Sequence, residues 1–190
     1  LRIIYSFYSD VPVHEDEIMQ YLEQAHRLVF DYGYIPWEYE KGIRSWFIPG
    51  IISLILFILK FFSLDFPEFY VNIIKIFFCF VSLLIPIGMY SFAKLLFSDN
   101  TAKLSLVLGS FWYEFIFFSH KPLPGMSSTC LVFLALTFFT KQKKYYIFFS
   151  GLFFLSSIAL RIQYLVPIGI VMFFTFYNVQ KNLRLYFILG

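Results

Sequence analysis

The chain has 190 residues, of which 59% are hydrophobic and 14% charged, and its mean hydropathy is +0.73. These values exclude an ordinary soluble domain and indicate an integral membrane protein. The net charge of +3 is small and the basic residues are spread between apolar runs, so no basic patch predicts a nucleic acid partner.

The two ends of the sequence suggest a piece of a longer protein. The chain starts at Leu1 without a methionine, and a new apolar run begins shortly before Gly190. We therefore expect an N-terminal fragment of one polytopic domain over residues 1–190. Residues 2–8 are interpreted as the outer end of a first span.

Acidic residues are concentrated in the segment from Asp10 to Pro49. This segment contains eight of the twelve Asp and Glu residues of the chain. In a membrane protein, polar residues gathered in one loop between apolar segments mark chemistry more often than packing. We assign residues 9–68 to this first loop and residues 69–190 to a transmembrane helical bundle.

Within the loop, residues 16–31 have the spacing of an amphipathic helix that lies on a membrane surface. Its apolar positions recur every three or four residues: Ile18, Tyr21, Leu22, Ala25, Leu28 and Val29. Its polar positions are predicted to face the opposite side: Glu17, Gln20, Gln24, Arg27 and Asp31.

Residues 46–64 are apolar but interrupted by Pro49-Gly50 and by Lys60. The uninterrupted part is about 14 Å long as a helix, against roughly 30 Å of hydrocarbon. If this segment lies in the interface, the acidic loop is extracytoplasmic; if it spans, the loop is cytoplasmic. The interruptions favour the interfacial placement.

Five further apolar runs predict spans. They are Phe69 to Ala93, Leu104 to Phe118, Ser128 to Thr140, Tyr145 to Leu160 and Tyr164 to Tyr177. Connections rich in lysine alternate along the chain with connections that hold a single basic residue. The positive-inside rule therefore puts residues 119–127 and 161–163, which are of the second kind, outside the cytoplasm.

Several charged residues are candidates for chemistry. Asp16, at the start of the predicted helix, is either an N-terminal cap or a general base for a hydroxyl group. The cluster His14-Glu15-Asp16-Glu17 has metal-binding side chains, but adjacent residues at a helix start point in different directions, so no metal site is expected. Arg44, Lys121 and Arg161 could bind phosphate together, or each could extend to lipid headgroups alone.

The first loop resembles the signature of the family 22 glycosyltransferases, the multi-spanning mannosyltransferases of GPI-anchor and N-glycan assembly with their bacterial relatives. The residues that carry the resemblance are His14-Glu15-Asp16-Glu17, Gln20, Glu23, Ala25-His26, Tyr32-Gly33, Trp37-Glu38-Tyr39, Arg44-Ser45 and Pro49. A weaker similarity continues at Ser119 to Pro122 and at Ala159 to Arg161, where the family has a basic residue.

The resemblance implies an all-α membrane protein of GT-C type, with residues 16–31 and 46–64 as membrane-parallel helices in the first extracytoplasmic loop. It also implies transfer of a hexose, most simply mannose, from a polyprenyl or dolichyl phosphate donor to a lipid-linked glycan, without a cofactor. A bacterial inner membrane is expected from the Phe, Ile and Lys usage, with the endoplasmic reticulum as the alternative.

By the same resemblance, Asp16 is the catalytic residue, matching the Asp of the family's HPDE pattern. Arg44, Lys121 and Arg161 would stabilise the leaving lipid phosphate. The remaining substrate-binding candidates are His14, Glu17, Trp37 and Glu38.

Two departures keep other functions open. Glu15 replaces the family's usual Pro, and the second loop, HKPLPGMSST, lacks an acid that relatives often carry. The alternatives are a transporter or flippase that uses Lys75, Glu114 and Arg161 along its spans, and a catalytically silent family member.

Overall fold

A computed structural model describes residues 1–8, 15 and 17–190, and every regular element within them is helical, as predicted for an all-α protein. The chain packs as two compact units. The first unit comprises Leu1–Cys79 and Phe117–Leu123, and the second comprises Phe80–Ile116 and Pro124–Gly190.

The first unit holds the helices of the acidic loop. They are α1 (Arg2–Tyr8), a π-helix (Glu17–Leu22), α2 (Glu23–Phe30), α3 (Trp37–Glu40), α4 (Phe47–Phe61) and the start of α5 (Pro67–Ser82). Pro49 lies in the first turn of α4, where its missing N–H would have no partner within the helix, so Pro49-Gly50 does not break it. The fifteen residues of α4 make it about 22 Å long.

Helices α2 and α4 pack against each other at the end of α2. Asp31 ends α2 in the left-handed conformation, with φ of 63°. The ammonium of Lys60 on α4 donates to the carbonyl oxygen of Val29 at 2.7 Å and lies 4.7 Å from the ring centre of Phe30. A cation at a helix C-terminus satisfies a free carbonyl and complements the helix dipole.

Burial along residues 17–31 does not separate the polar positions from the apolar ones in the way the predicted amphipathic pattern does. Glu17, Gln20 and Gln24 are buried, whereas Ile18 and Leu28 are exposed. Glu17–Leu22 form a π-helix, whose i→i+5 hydrogen bonds shift the register away from the 3.6-residue period. The buried polar groups also have partners elsewhere in the first unit, described below.

The second unit contains the remaining helices. They are α6 (Leu84–Leu96), α7 (Asp99–Phe111), α8 (Tyr113–Phe117, which begins in this unit), α9 (Pro124–Phe139), α10 (Lys144–Leu160), α11 (Leu165–Asn178) and α12 (Arg184–Leu189), with short 3₁₀ turns at Ile162–Tyr164 and Lys181–Leu183.

An apolar core that includes Phe139, Ile147, Phe154 and Phe187 holds the second unit together. Close approaches between helices add to it. A Cβ added at Gly88 on α6 would lie 2.5 Å from the carbonyl oxygen of Phe133 on α9, so only glycine fits.

The predicted span from Leu104 to Phe118 is not one helix. The backbone is extended at Trp112, between α7 and α8, and the exposed Glu114 accepts a hydrogen bond from the Trp112 indole at 3.3 Å. Among the described residues, one helical stretch, Pro67–Leu96, is long and apolar enough to cross a membrane. The number of spans and the membrane-parallel placement of residues 16–31 and 46–64 stay predictions.

Candidate functional site

Glu38 lies at the centre of a hydrogen-bonded cluster in the first unit. Gln20 donates to its Oε2 at 2.6 Å, and the Arg44 guanidinium donates through Nε to Oε2 at 3.1 Å and through Nη2 to Oε1 at 3.2 Å. A bidentate arginine fixes the plane of a carboxylate as well as neutralising it. Glu38 is therefore held in one orientation between the π-helix and the loop that follows α3.

Tyr39 contacts the same cluster through the backbone of Gln20. Its hydroxyl donates to the backbone carbonyl of Gln20 at 2.7 Å, and the ring is buried. Burial, followed by the nearby Tyr21, raises the pKa of Tyr39 to about 12, so the hydroxyl keeps its proton and stays a donor.

A second set of contacts ties α2 to the loop after it. The Glu23 carboxylate accepts from the Tyr34 backbone N–H at 3.1 Å, and the Gln24 amide donates to the Tyr34 carbonyl at 2.9 Å. Gly33 has φ of 141°, and a Cβ there would lie 2.5 Å from Oε1 of Glu23. Glycine is thus required by both the backbone conformation and the close approach.

Lys121 and Glu17 form a buried ion pair within the first unit. The Lys121 ammonium lies 3.1 Å from Glu17 Oε2, and the two side chains are 2% and 10% exposed. Because a buried charge is stable only when it is paired and hydrogen-bonded, each of these residues depends on the other. The pair joins positions 104 residues apart in the sequence.

His120 is a functional candidate that the sequence did not single out. It is 2% exposed, and neither ring nitrogen has a hydrogen-bond partner in the part of the chain that the structure describes. Burial, and then the charges of Lys121 and Lys75, lower the pKa of His120 to about 4, so the imidazole is neutral. Buried polar groups without hydrogen-bond partners are rare, and strongly shifted pKa values are common at functional sites. The only signal in the sequence was its position next to Lys121.

The structure brings together two pairs of the predicted site residues, Glu17 with Lys121 and Glu38 with Arg44. Trp37 precedes Glu38 and is 62% exposed, so its indole is accessible. Arg161 belongs to the second unit, where its guanidinium donates to the Tyr164 hydroxyl at 3.5 Å. His14 and Asp16 lie outside the described residues.

Among the described residues, no group of three His, Cys, Asp or Glu side chains lies close enough to hold a metal ion. His14 and Asp16, two members of the cluster at residues 14–17, are not among those residues. The expectation of a metal-free site stays a prediction.

Comparison with known proteins gives one family. The model of the Alg9-like mannosyltransferase family matches residues 1–190. Mannosyltransferase APTG1 of Arabidopsis thaliana is 30% identical over 105 residues, which are 55% of this chain and 19% of the relative. GPI alpha-1,2-mannosyltransferase 3 of Mus musculus is 33% identical over 103 residues, 54% of this chain and 19% of the relative.

A shorter match is closer in sequence. GPI mannosyltransferase 3 of Drosophila melanogaster is 48% identical over 50 residues, 26% of this chain and 9% of the relative. No solved structure matches. The matched segments thus cover about a fifth or less of each of these relatives, while the family model covers every residue of the chain. The chain belongs to the Alg9-like mannosyltransferase family, as the first-loop residues predicted.

Proposed function

We propose that the protein is an integral membrane glycosyltransferase that moves mannose from a polyprenyl or dolichyl phosphate donor to a hydroxyl group of a lipid-linked glycan. The observation that carries this proposal is the family match over residues 1–190. The relatives are named mannosyltransferases and GPI mannosyltransferases, which supports mannose as the transferred sugar. The proposal concerns the whole protein, since the matched segments are a small part of each relative.

In this reaction Asp16 is the general base that takes a proton from, or orients, the acceptor hydroxyl. Support comes from its neighbour in the sequence: Glu17 is buried and held by Lys121, which gives the segment an anchor within the first unit. A catalytic base requires fixed geometry as well as a suitable pKa, and such supporting residues provide it.

Trp37 and Glu38 shape the sugar site, and His14 and Glu17, which lie within two residues of Asp16, are further substrate-binding candidates. The Glu38 carboxylate is saturated by Gln20 and Arg44, so it suits a rigid wall of the site better than a proton-transfer role. The exposed Trp37 offers a flat apolar surface beside this polar group, a combination that fits the two faces of a hexose.

Arg44 and Lys121, both in the first unit, supply positive charge for the leaving lipid phosphate, and Arg161 stays a candidate from the sequence. Stabilising charge that develops in the transition state is an electrostatic task that fixed cations perform without a metal. The Lys121 ammonium is already paired with Glu17, so a phosphate would share it with that carboxylate. The compartment, a bacterial inner membrane or the endoplasmic reticulum membrane, stays a prediction from the sequence.

The donor class is tested with the purified protein in lipid vesicles. Three radiolabelled donors are compared. They are polyprenyl phosphate mannose, GDP-mannose and polyprenyl phosphate glucose. We expect label in a lipid-linked glycan acceptor from the first donor only. Transfer from GDP-mannose alone would overturn the donor class, and movement of the lipid across the bilayer without transfer would favour the flippase alternative.

A further inference from the structure

A cavity of about 330 Å³ lies within the second unit. It is bordered by the last residues of α6 and α9, and by the last turn of α11 with the segment that follows it. The lining residues are Leu95, Leu96, Phe139, Gln142, Phe174, Asn178 and Gln180. The lining therefore combines four apolar side chains with three side-chain amides.

Gln142, one of the amides that line the cavity, has an acceptor that is not used within the described chain. Its Nε2 donates to the Phe139 carbonyl at 3.0 Å, but its Oε1 is buried without a hydrogen-bond partner in the described chain. Its backbone has φ of 46°, the left-handed conformation, and this ends the turn after α9. The position can thus accept a hydrogen bond from a bound group.

Three exposed cations adjoin the lining residues in the sequence. Lys141 and Lys143 flank Gln142, and Lys181 follows Gln180. None of the three makes an ion pair with a described residue. Cations without a local counter-charge attract an external anion.

The other cations at this end of the second unit are engaged within the protein. Lys94 and Lys103 lie 3.2 and 2.9 Å from the Asp99 carboxylate. Lys144 lies over the Tyr186 ring at 5.5 Å, and Arg184 donates to the carbonyls of Tyr177 and Val179. The uncompensated charge is thus concentrated next to the cavity.

We propose that this cavity binds an anionic phospholipid, with its phosphate at Lys141, Lys143 and Lys181 and an acyl chain along Leu95, Leu96 and Phe174. A free phosphate would use the cations but leave the hydrocarbon wall unused, and a neutral lipid would do the reverse. The lysine-rich connections are also the ones that the positive-inside rule places in the cytoplasm, where the leaflet is anionic.

The charge requirement is tested by native mass spectrometry of the detergent-purified protein, titrated with phosphatidylglycerol or with phosphatidylcholine of identical chains. Each lysine near an anionic surface strengthens attachment about fivefold. We expect the wild type to prefer phosphatidylglycerol by about tenfold or more, K143Q to lose several-fold of that preference, and K141Q/K143Q/K181Q to lose nearly all of it. The matched control K41Q removes an exposed lysine of the first unit and keeps the preference.

The cavity itself is tested with a bulky side chain. Leu95→Trp fills the hydrocarbon wall, whereas Leu104→Trp adds the same ring to an exposed position on α7 that does not line the cavity. We expect only Leu95→Trp to abolish the preference. A photoactivatable phosphatidylglycerol should then label residues 139–144 and 174–181 in the wild type.

Three results would overturn the proposal. They are equal binding of both lipids by the wild type, an undiminished preference in Leu95→Trp, and labelling confined to other segments. The last result would show that the lipid binds at a different place on the protein. All of these readouts measure lipid binding, so they are independent of whether the protein transfers mannose.

Discussion

The two units differ in what their polar side chains mostly contact. In the first, polar groups connect distant parts of the chain: Gln20 with Glu38, and Glu17 with Lys121. In the second, hydroxyl groups often bond to carbonyls of their own helix, as Ser110 does with Leu106 and Thr137 with Phe133. Two buried serines of the second unit also bond between helices, Ser128 to the Ser157 carbonyl and Ser150 to the Ala135 carbonyl. Ion pairs and amide contacts thus connect the first unit, whereas the second relies mainly on apolar packing. Substitutions should distinguish the two.

The largest expected effect comes from breaking the buried ion pair. Lys121→Met leaves the Glu17 carboxylate buried without its cation, which typically costs about 3–5 kcal/mol of unfolding free energy. The double variant Glu17→Gln/Lys121→Met removes the stranded charge and should recover a large part of that loss. Chemical unfolding in detergent measures both. A loss below about 1 kcal/mol in the single variant would contradict the burial of this pair.

The neutral, buried His120 predicts an acid-sensitive stability. The unfolded chain takes up a proton near pH 6.5, whereas the folded chain does so only near pH 4, so stability falls as the pH is lowered between these values. The full loss is about 3 kcal/mol, from 1.36 kcal/mol per pKa unit. His120→Phe should flatten this decline in pH-dependent unfolding, and the control His26→Phe should retain it. An unchanged decline in His120→Phe would contradict the assignment.

Packing of the second unit is tested at two glycines. Gly88→Ala places a methyl group 2.5 Å from the Phe133 carbonyl, and such overpacking costs about 1–3 kcal/mol. Gly169→Ala on α11 has open space around the new methyl group and should be neutral or slightly stabilising. Thermal unfolding compares the pair. Equal melting temperatures would argue against the close contact of α6 with α9.

A smaller effect is expected at the partly exposed cluster around Glu38. Arg44→Lys keeps the charge but loses the bidentate geometry, so we expect a loss of about 1 kcal/mol in stability. Arg44→Gln removes the charge as well and should cost somewhat more. Unfolding measurements in which both variants match the wild type would show that Arg44 does not fix Glu38.

Helices α9, α10 and α11 of the second unit could be predicted because each is a mainly apolar run bounded by polar residues. Tyr145 to Leu160 was predicted and Lys144–Leu160 is observed. The break at Trp112 was missed because neither Gly nor Pro marks it. In the first unit, the π-helix shifted the register, and a shift of this kind has no signal in a 3.6-residue period.

The candidate site was predictable in part. The resemblance identified Glu17, Glu38, Arg44 and Lys121 as candidates, but it could not show which of them pair, because the partners are far apart in the sequence. His120 was missed since a single histidine carries no spacing pattern. Its importance appears only from burial and from the absence of partners among the described residues.

The most direct test of the proposed function is the rate of mannose transfer from polyprenyl phosphate mannose by Asp16→Asn. The change removes the basic carboxylate and keeps the shape of the side chain. We predict a loss of turnover of at least about a hundredfold, the usual contribution of a general base, with an unfolding midpoint close to that of the wild type. Gly88→Ala, which is destabilised in the second unit, should still transfer mannose below its melting temperature. Turnover by Asp16→Asn at the wild-type rate would contradict the assignment of Asp16 as the base.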